Sequence, residues 1–296
     1  MESEAKVKKV AVMTDTISQM PQEVADKYDI KIVPMGIVID GKLYRENEVN
    51  LPEYYQKLLQ ITETEKLPTS SSISAGEFLE ACRELSQKAE GIVYISHSVR
   101  LGASSKAALQ AKQRAEEERL NVQIEVIDPG TACGAQMLIA LEAAKAAAAG
   151  KSFAEVVAVA NSMITKVKYI VLVDNLEYLS SGGRILDGRA WAEAKVSTKA
   201  ILETDASAGK VHAPLARYKT KAKAMEGLLE VMKERCRGKK LHVVIEHVNV
   251  PDEAEKLKKR VSSEFQCVEL YVTETLCVVG RHEGPGSLFL CWWSED

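Results

Sequence analysis

Apolar positions along this chain follow two rhythms. Short runs rich in valine and isoleucine alternate with longer stretches in which apolar residues recur every three or four places. These are the periods of buried strands and of helices with one apolar face. In the first half, KKVAVMTD predicts a strand and PQEVADKYD a helix opened by Pro21. IKIVPMGIVID predicts a second strand that runs into the turn DGK. LPEYYQKLLQ and SAGEFLEACRELSQK predict helices, GIVYIS a buried strand, SSKAALQAKQRAEEERL a helix and VQIEVID a strand. The alanine-rich CGAQMLIALEAAKAAAAG closes this half as a helix ending at Gly150, a suitable C-cap. Strand and helix in alternation predict a mostly parallel sheet covered by helices.

SFAEVVAVANSMITKV opens on a serine cap and carries Phe153, Val156, Val157, Ala160, Met163, Ile164 and Val167 on one stripe. It predicts an amphipathic helix bridging two domains. Beyond it, YIVLVD, the hairpin-like STKAILETDASAGKVHA, a helix TKAKAMEGLLEVMKERC, a strand KLHVVIEH, a helix PDEAEKLKKRVSSEF and the strands CVELYVT and SLFLCWW make a second α/β unit. LCVVG reads as one more strand, and LEYLSSGGRI as a strand ending followed by a glycine turn. The chain's 296 residues exceed the usual span of one domain. Two α/β domains sharing a cleft are therefore expected, residues 1–167 and residues 168–296. The terminal CWWSED is expected to pack under the second sheet.

Composition removes several classes of function. Thirty-nine basic residues against 42 acidic ones leave a net charge of −3, which gives no bulk attraction to nucleic acid or anionic lipid. The basic runs YKTKAKA and KERCRGKK read as solvated helix faces. The start, MESEAKVKKV, is charged and lacks a signal peptide's apolar core, and no stretch reaches eighteen uncharged apolar residues. A soluble, cytoplasmic protein without an integral membrane segment is expected. Six cysteines form no C-x-x-C pair and lie far apart, so they are expected to be reduced structural thiols, with no metal site.

Ligands of open parallel sheets bind beyond the carboxyl ends of the strands. The residues there are small and polar: Thr14, Asp15 and Thr16, then Thr69, Ser70, Ser71 and Ser72, then His97, Ser98 and Gly102. Any one hydroxyl could serve only as a helix cap, but several loops at one sheet edge suit an oxygen-rich group. His212, His242 and His247 sit in or beside strand patterns and read as structural, whereas His282 lies in the tight loop GRHEGPGS, where Gly284 lets backbone approach a ligand. Gly182 and Gly183 permit positive φ or close approach, and Arg184 beside them offers a rigid fork for carboxylate or phosphate. The chain contains no G-x-S-x-G elbow, P-loop or G-x-G-x-x-G, so neither a catalytic residue nor a nucleotide cofactor is indicated.

The order of these segments resembles the DegV family of bacterial fatty-acid-binding proteins. The likeness runs from about residue 9 to residue 293 and is carried by VMTDT, IVPMGIVIDGKLYRE, PTSSS, DNLEYLSSGGRI, STKAIL, LARYKTKAKA and GRHEGPGS. The resemblance implies a two-domain α/β fold enclosing one long-chain fatty acid between the domains. It further implies that the acid is presented to a separate ATP-dependent fatty acid kinase, whose acyl phosphate product enters phospholipid synthesis. By that likeness Thr69 and His282 would stand at the carboxylate, with Asp15, Ser70, Ser98, Gly102 and Gly284 around it. Gly183, Arg184 and Arg217 would serve the kinase or the transferred phosphate, and the carrier would need no cofactor. A monomer would suit such a carrier.

Two blocks depart from the family pattern. Leu101, Gly102 and Ala103 stand where Ser-Gly-Thr is typical, and Ser71 and Ser72 where Gln-Pro is usual. Either Ser98, His97 or Ser72 takes over the head group, or the ligand is a different amphiphile or a small anionic metabolite. An acyl or phosphoryl hydrolase or transferase, with His282 as base and Arg184 at the oxyanion, is the alternative from another class.

Overall fold

The computed structural model of the protein describes residues 8–63, 66–187, 190–191 and 198–295. Four parallel strands form the first sheet in the order β2, β1, β6, β7: β1 (Lys8–Asp15), β2 (Ile30–Val33), β6 (Ala89–Ile95) and β7 (Gln123–Ile127). All of them precede residue 128. A mixed sheet of six strands, all from residue 168 onward, forms the second. Its order is β10 (Lys210–Tyr218), β9 (Lys199–Asp205), β8 (Lys168–Val173), β13 (Leu288–Ser294), β11 (Lys240–His247) and β12 (Gln266–Glu274), with only β11 and β12 parallel. Trp292 is buried in the central strand β13, so the chain end packs as expected.

The expected single strand IKIVPMGIVID is divided. Pro34 cannot donate to a ladder, and beyond it β3 (Gly36–Ile39) leaves the parallel sheet to join β4 (Lys42–Arg45) and β5 (Thr69–Ser71) in a small antiparallel sheet. Helices α1 (Gln22–Tyr28), α2 (Leu51–Gln60), α3 (Ala75–Ser86) and α4 (Ser104–Glu117) fall where periodicity placed them. Asn50 caps α2, and a capping box between Ser74 and Glu77 starts α3.

The bridging element is not the one expected. Helix α6 (Phe153–Ile164) covers β1, β6 and β7 of the first sheet only. The preceding helix, α5 (Cys133–Ala148), lies between both sheets, against β1 on one side and β8, β11 and β13 on the other. A helix apolar on every side is suited to such a place, and Gly134 through Leu141 are all buried. One continuous core therefore joins Val12, Leu138 and Val93 of the first half to Val171, Val244 and Cys291 of the second. Helices α8 (Lys221–Cys236) and α9 (Pro251–Glu264) cover the opposite face of the six-stranded sheet.

Two short segments differ from the sequence expectation. LEYLSSGGRI is a helix, α7 (Leu176–Ser181), with Asn175 Oδ1 accepting from the Glu177 N–H at 2.9 Å. LCVVG is the start of α10 (Cys277–Glu283), not a strand, and all seven of its residues are buried. A short apolar run fits either element by periodicity. Here side chains of the first half choose the helix. Gln19 Oε1 accepts from the Leu276 N–H at 2.6 Å and Glu46 Oε1 from the Val278 N–H at 2.7 Å, satisfying donors that an N-terminus leaves free.

Candidate functional site

The carboxyl ends of β1 and β6 and the first turn of α5 meet at one end of the parallel sheet. Asp15, fully buried, accepts from the Tyr94 hydroxyl at 2.6 Å, Gln136 Nε2 at 3.0 Å and the Ile17 N–H at 3.1 Å, and lies 3.0 Å from His97 Nδ1. Burial alone would push this carboxyl up, but His97, Tyr94 and Gln136 hold it below its usual range. An ionised Asp15 fixes the imidazole so that Nδ1 carries the proton and donates it. α5 begins without a side-chain cap, and Ala132 and Cys133 at its start face the same space. The positive end of the helix dipole favours an anion there.

The second half supplies the other wall. Arg184 follows α7, its Nε donating to the Leu101 carbonyl at 3.1 Å and Nη1 to the Gly182 carbonyl at 2.7 Å. Burial lowers its pKa, yet a guanidinium stays charged. His212 Nδ1 donates to the Arg184 carbonyl at 2.7 Å, and Nε2 lies 3.0 Å from Glu283. Burial alone would drive this imidazole neutral, but Glu283 and the Arg184 carbonyl raise its pKa. His282 is the opposite case: burial, then Arg184, Arg281 and His212, hold it well below its ordinary value, so it is neutral. Its Nε2 is 3.3 Å from Ser70 Oγ, and its Nδ1 is buried without a partner among the described residues.

These groups enclose a cavity of about 60 Å³. Ile17, Met35, Leu101, Val278 and Val279 make it apolar; Ser70, Ser72, His97, Arg184, His212 and His282 give it a polar edge. A larger groove of about 720 Å³, between the β3–β4 hairpin and α2, is rimmed by Lys42, Glu48, Glu53 and Lys57 and gathers no imidazole or guanidinium. The cavity is therefore the better candidate despite its size.

Several expected site residues converge here and several do not. Ser70, Gly102, Arg184 and His282 line the cavity. Thr69 does not: strand alternation points Ser70 and Ser72 inward and leaves Thr69 exposed, paired with Val38. Asp15 acts one step back, through His97. Ser98 is buried in its own loop, its hydroxyl accepting from the Arg100 N–H at 3.3 Å, and does not line the cavity. Gly284 ends α10 at φ +79° against Tyr178, and Gly183 turns the chain at φ +67° in an exposed position. Arg217 lies outside the lining, stacked 4.2 Å over Trp191 with Nη2 donating to its carbonyl.

His212 and Glu283 belong to the site and were not singled out from the sequence. His212 sits at a register break in β10 with φ +50°, and a bulge of this kind re-aims a side chain. A strand pattern carries no sign of it. Cys133 also lines the cavity, but burial, with Glu246 and Glu283 nearby, keeps its thiol well above the usual range, which removes its nucleophilic form. Elsewhere Glu142, His242 and Glu269 offer ligand atoms within 4.8 Å of one another. Lys145 Nζ already occupies that position, 2.8 Å from Glu142 and 2.7 Å from Glu269, and supplies the cation.

A family model described as "Uncharacterised protein, DegV family" matches residues 9–295. A DegV domain-containing protein of Clostridium perfringens is 30% identical over 288 residues, covering 97% of this chain and 99% of its own. Protein DegV of Bacillus subtilis is 28% identical over 286 residues, 96% and 98% of the two chains. Among solved structures, a fatty acid binding DegV of Bacillus subtilis superposes with a TM-score of 0.86 at 26% identity, over 97% of this chain and all of that one. A fatty-acid-binding DegV family protein of Thermus thermophilus gives 0.88 at 23% identity, over 97% and 100%, a likeness of fold.

Proposed function

The chain belongs to the DegV family, and from that premise we propose that it is a carrier rather than an enzyme: it binds one long-chain fatty acid between its two halves, residues 1–167 and 168–296, and presents the carboxylate to a separate ATP-dependent kinase. The observation that carries this reading is a buried, mostly apolar cavity whose polar edge holds a guanidinium without a carboxylate partner among the described residues. A carboxylate taken out of water needs such partners, because an unpaired buried charge costs several kcal/mol. Ser70 and His282 line the same cavity as hydroxyl and imidazole donors, and Arg184 supplies the opposite charge.

The tail supplies the affinity. Each buried methylene contributes about 0.8 kcal/mol, so some fifteen of them give up to roughly 12 kcal/mol before the costs of binding. A volume of about 60 Å³ accommodates the head group and the first carbons. The rest of the tail requires the apolar wall to give way, and Met35, with its flexible thioether, is suited to that. In the kinase step a carboxylate oxygen would attack the terminal phosphorus of ATP, and ADP would leave. Exposed Gly183, with Arg184 and Arg217, would form the edge that the kinase meets.

The test is to purify the protein, denature it and analyse the organic extract by mass spectrometry, then to measure binding of added hexadecanoate. A long-chain acid in the extract, or one-to-one binding of the added one, is expected. Neither being found would overturn the reading. Leu101 in the cavity wall favours a second reading, another amphiphile, and the same extract would contain that molecule instead.

A further inference from the structure

We propose that His97, held by Asp15, is a head-group ligand of this cavity and ties the capture of a carboxylate to the uptake of a proton. The inference rests on the fatty acid reading above and adds a residue and a linkage to it. On the first-half side of the cavity the other lining residues are apolar or small: Ile17, Met35, Leu101, Gly102, Ala132 and Cys133, apart from Ser70 on β5 and Ser72 just beyond it. His97 is the one imidazole on that side. Its Nδ1 is committed to Asp15 at 3.0 Å, and Nε2 has no hydrogen-bond partner among the described residues. Gly102 keeps Nε2 clear, since a Cβ there would stand 2.3 Å from it.

The orientation has a chemical consequence. With Nδ1–H spent on Asp15, Nε2 can meet a carboxylate only when it carries a proton of its own, because a bare lone pair there would repel it. Contact requires a proton on Nε2, whether brought by the acid or taken from solvent, and relative to the free carboxylate the stoichiometry is the same. Asp15 stabilises the resulting imidazolium, as a buried carboxylate behind a histidine does elsewhere. A hydroxyl in the same place would donate at every pH and take up nothing. The groups facing the pair are Tyr94 from β6, Cys133 and Gln136 from α5, and Glu46 from the turn after β4. Across the cavity stand Arg184, His212, His282 and Glu283.

The experiment is calorimetry of hexadecanoate binding in buffers of different ionisation heat, for the wild type, His97→Ser and His97→Gln. On binding, the wild type is expected to take up more protons than either variant. Its affinity is expected to fall with pH by up to roughly tenfold per unit, with a flatter profile in His97→Ser. Variants that bind with the wild type's proton count overturn this inference and leave the fatty acid reading standing; a wild type that binds no hexadecanoate at any pH sinks both. Where a variant fails to fold, the imidazole nitrogen signals of the labelled wild type decide. On adding hexadecanoate, Nε2 of His97 should change from bare to protonated, and an unchanged signal overturns the proposal.

Discussion

Gly182 and Gly183 are neighbours with opposite reasons for being glycine. Gly182 has ordinary backbone angles, but a Cβ on it would lie 2.2 Å from His282 Nδ1 and 2.8 Å from Arg281 Nη1. Gly183 has φ +67° and open space around it. Gly182→Ala should therefore displace His282, weakening hexadecanoate binding by tenfold or more and costing about 1–3 kcal/mol of stability. Gly183→Ala should cost about 1 kcal/mol through backbone strain and leave affinity nearly unchanged. Equilibrium dialysis and urea denaturation of both variants separate the two effects, and equal losses of affinity would refute the distinction. The sequence exposed the pair of glycines but not their division of labour. It likewise pointed to PTSSS without saying which hydroxyls face inward, because alternation is known only once β5 has a partner. His212 was hidden for the same reason, its direction being set by a bulge.

Among the elements, α10 was misread while the long helices and central strands were found. Runs of sixteen residues, as in α5 or α8, are too long for an ordinary strand and leave little choice, whereas five apolar residues leave two. What decides α10 is a cap that comes from distant sequence. Glu46 Oε1 accepts from the Val278 N–H while Thr16 donates to its other oxygen, and the hydroxyls of Tyr54 and Tyr55 reach the Cys277 and Thr275 carbonyls at 3.0 and 2.7 Å. Glu46→Ala removes the cap and should cost about 1–3 kcal/mol, since a buried N–H loses its partner. Glu46→Gln keeps an acceptor and should cost much less. Urea denaturation at mildly acid pH compares them, and an equally damaging Gln variant would argue against the cap.

For the whole molecule, buried carboxyls set a pH dependence opposite in sign to ordinary acid denaturation. Burial pushes Glu46 up to about 7 and Glu246, beside the Glu283 charge, up to about 8. A carboxyl whose folded pKa is raised stabilises below its unfolded value and loses that contribution as pH rises through the folded one. Stability should thus decline between about pH 5 and about pH 8, by a few kcal/mol, and Glu246→Gln should flatten the decline. Denaturant midpoints across that range check it, and an unchanged slope in the variant would contradict it. Below this window Asp15, held low, acts in the usual direction.

The α/β architecture, with a parallel sheet flanked by helices, was legible in the sequence, but the continuity of the core across the halves was not, since periodicity shows that a helix is apolar all round without showing what surrounds it. That helix, α5, carries Cys133 at the cavity wall while its flanks rest on both sheets. The pocket thus inherits its stiffness from a beam gripped along both sides. Anyone transplanting the pocket into another scaffold would have to bring the beam and both of its seats along.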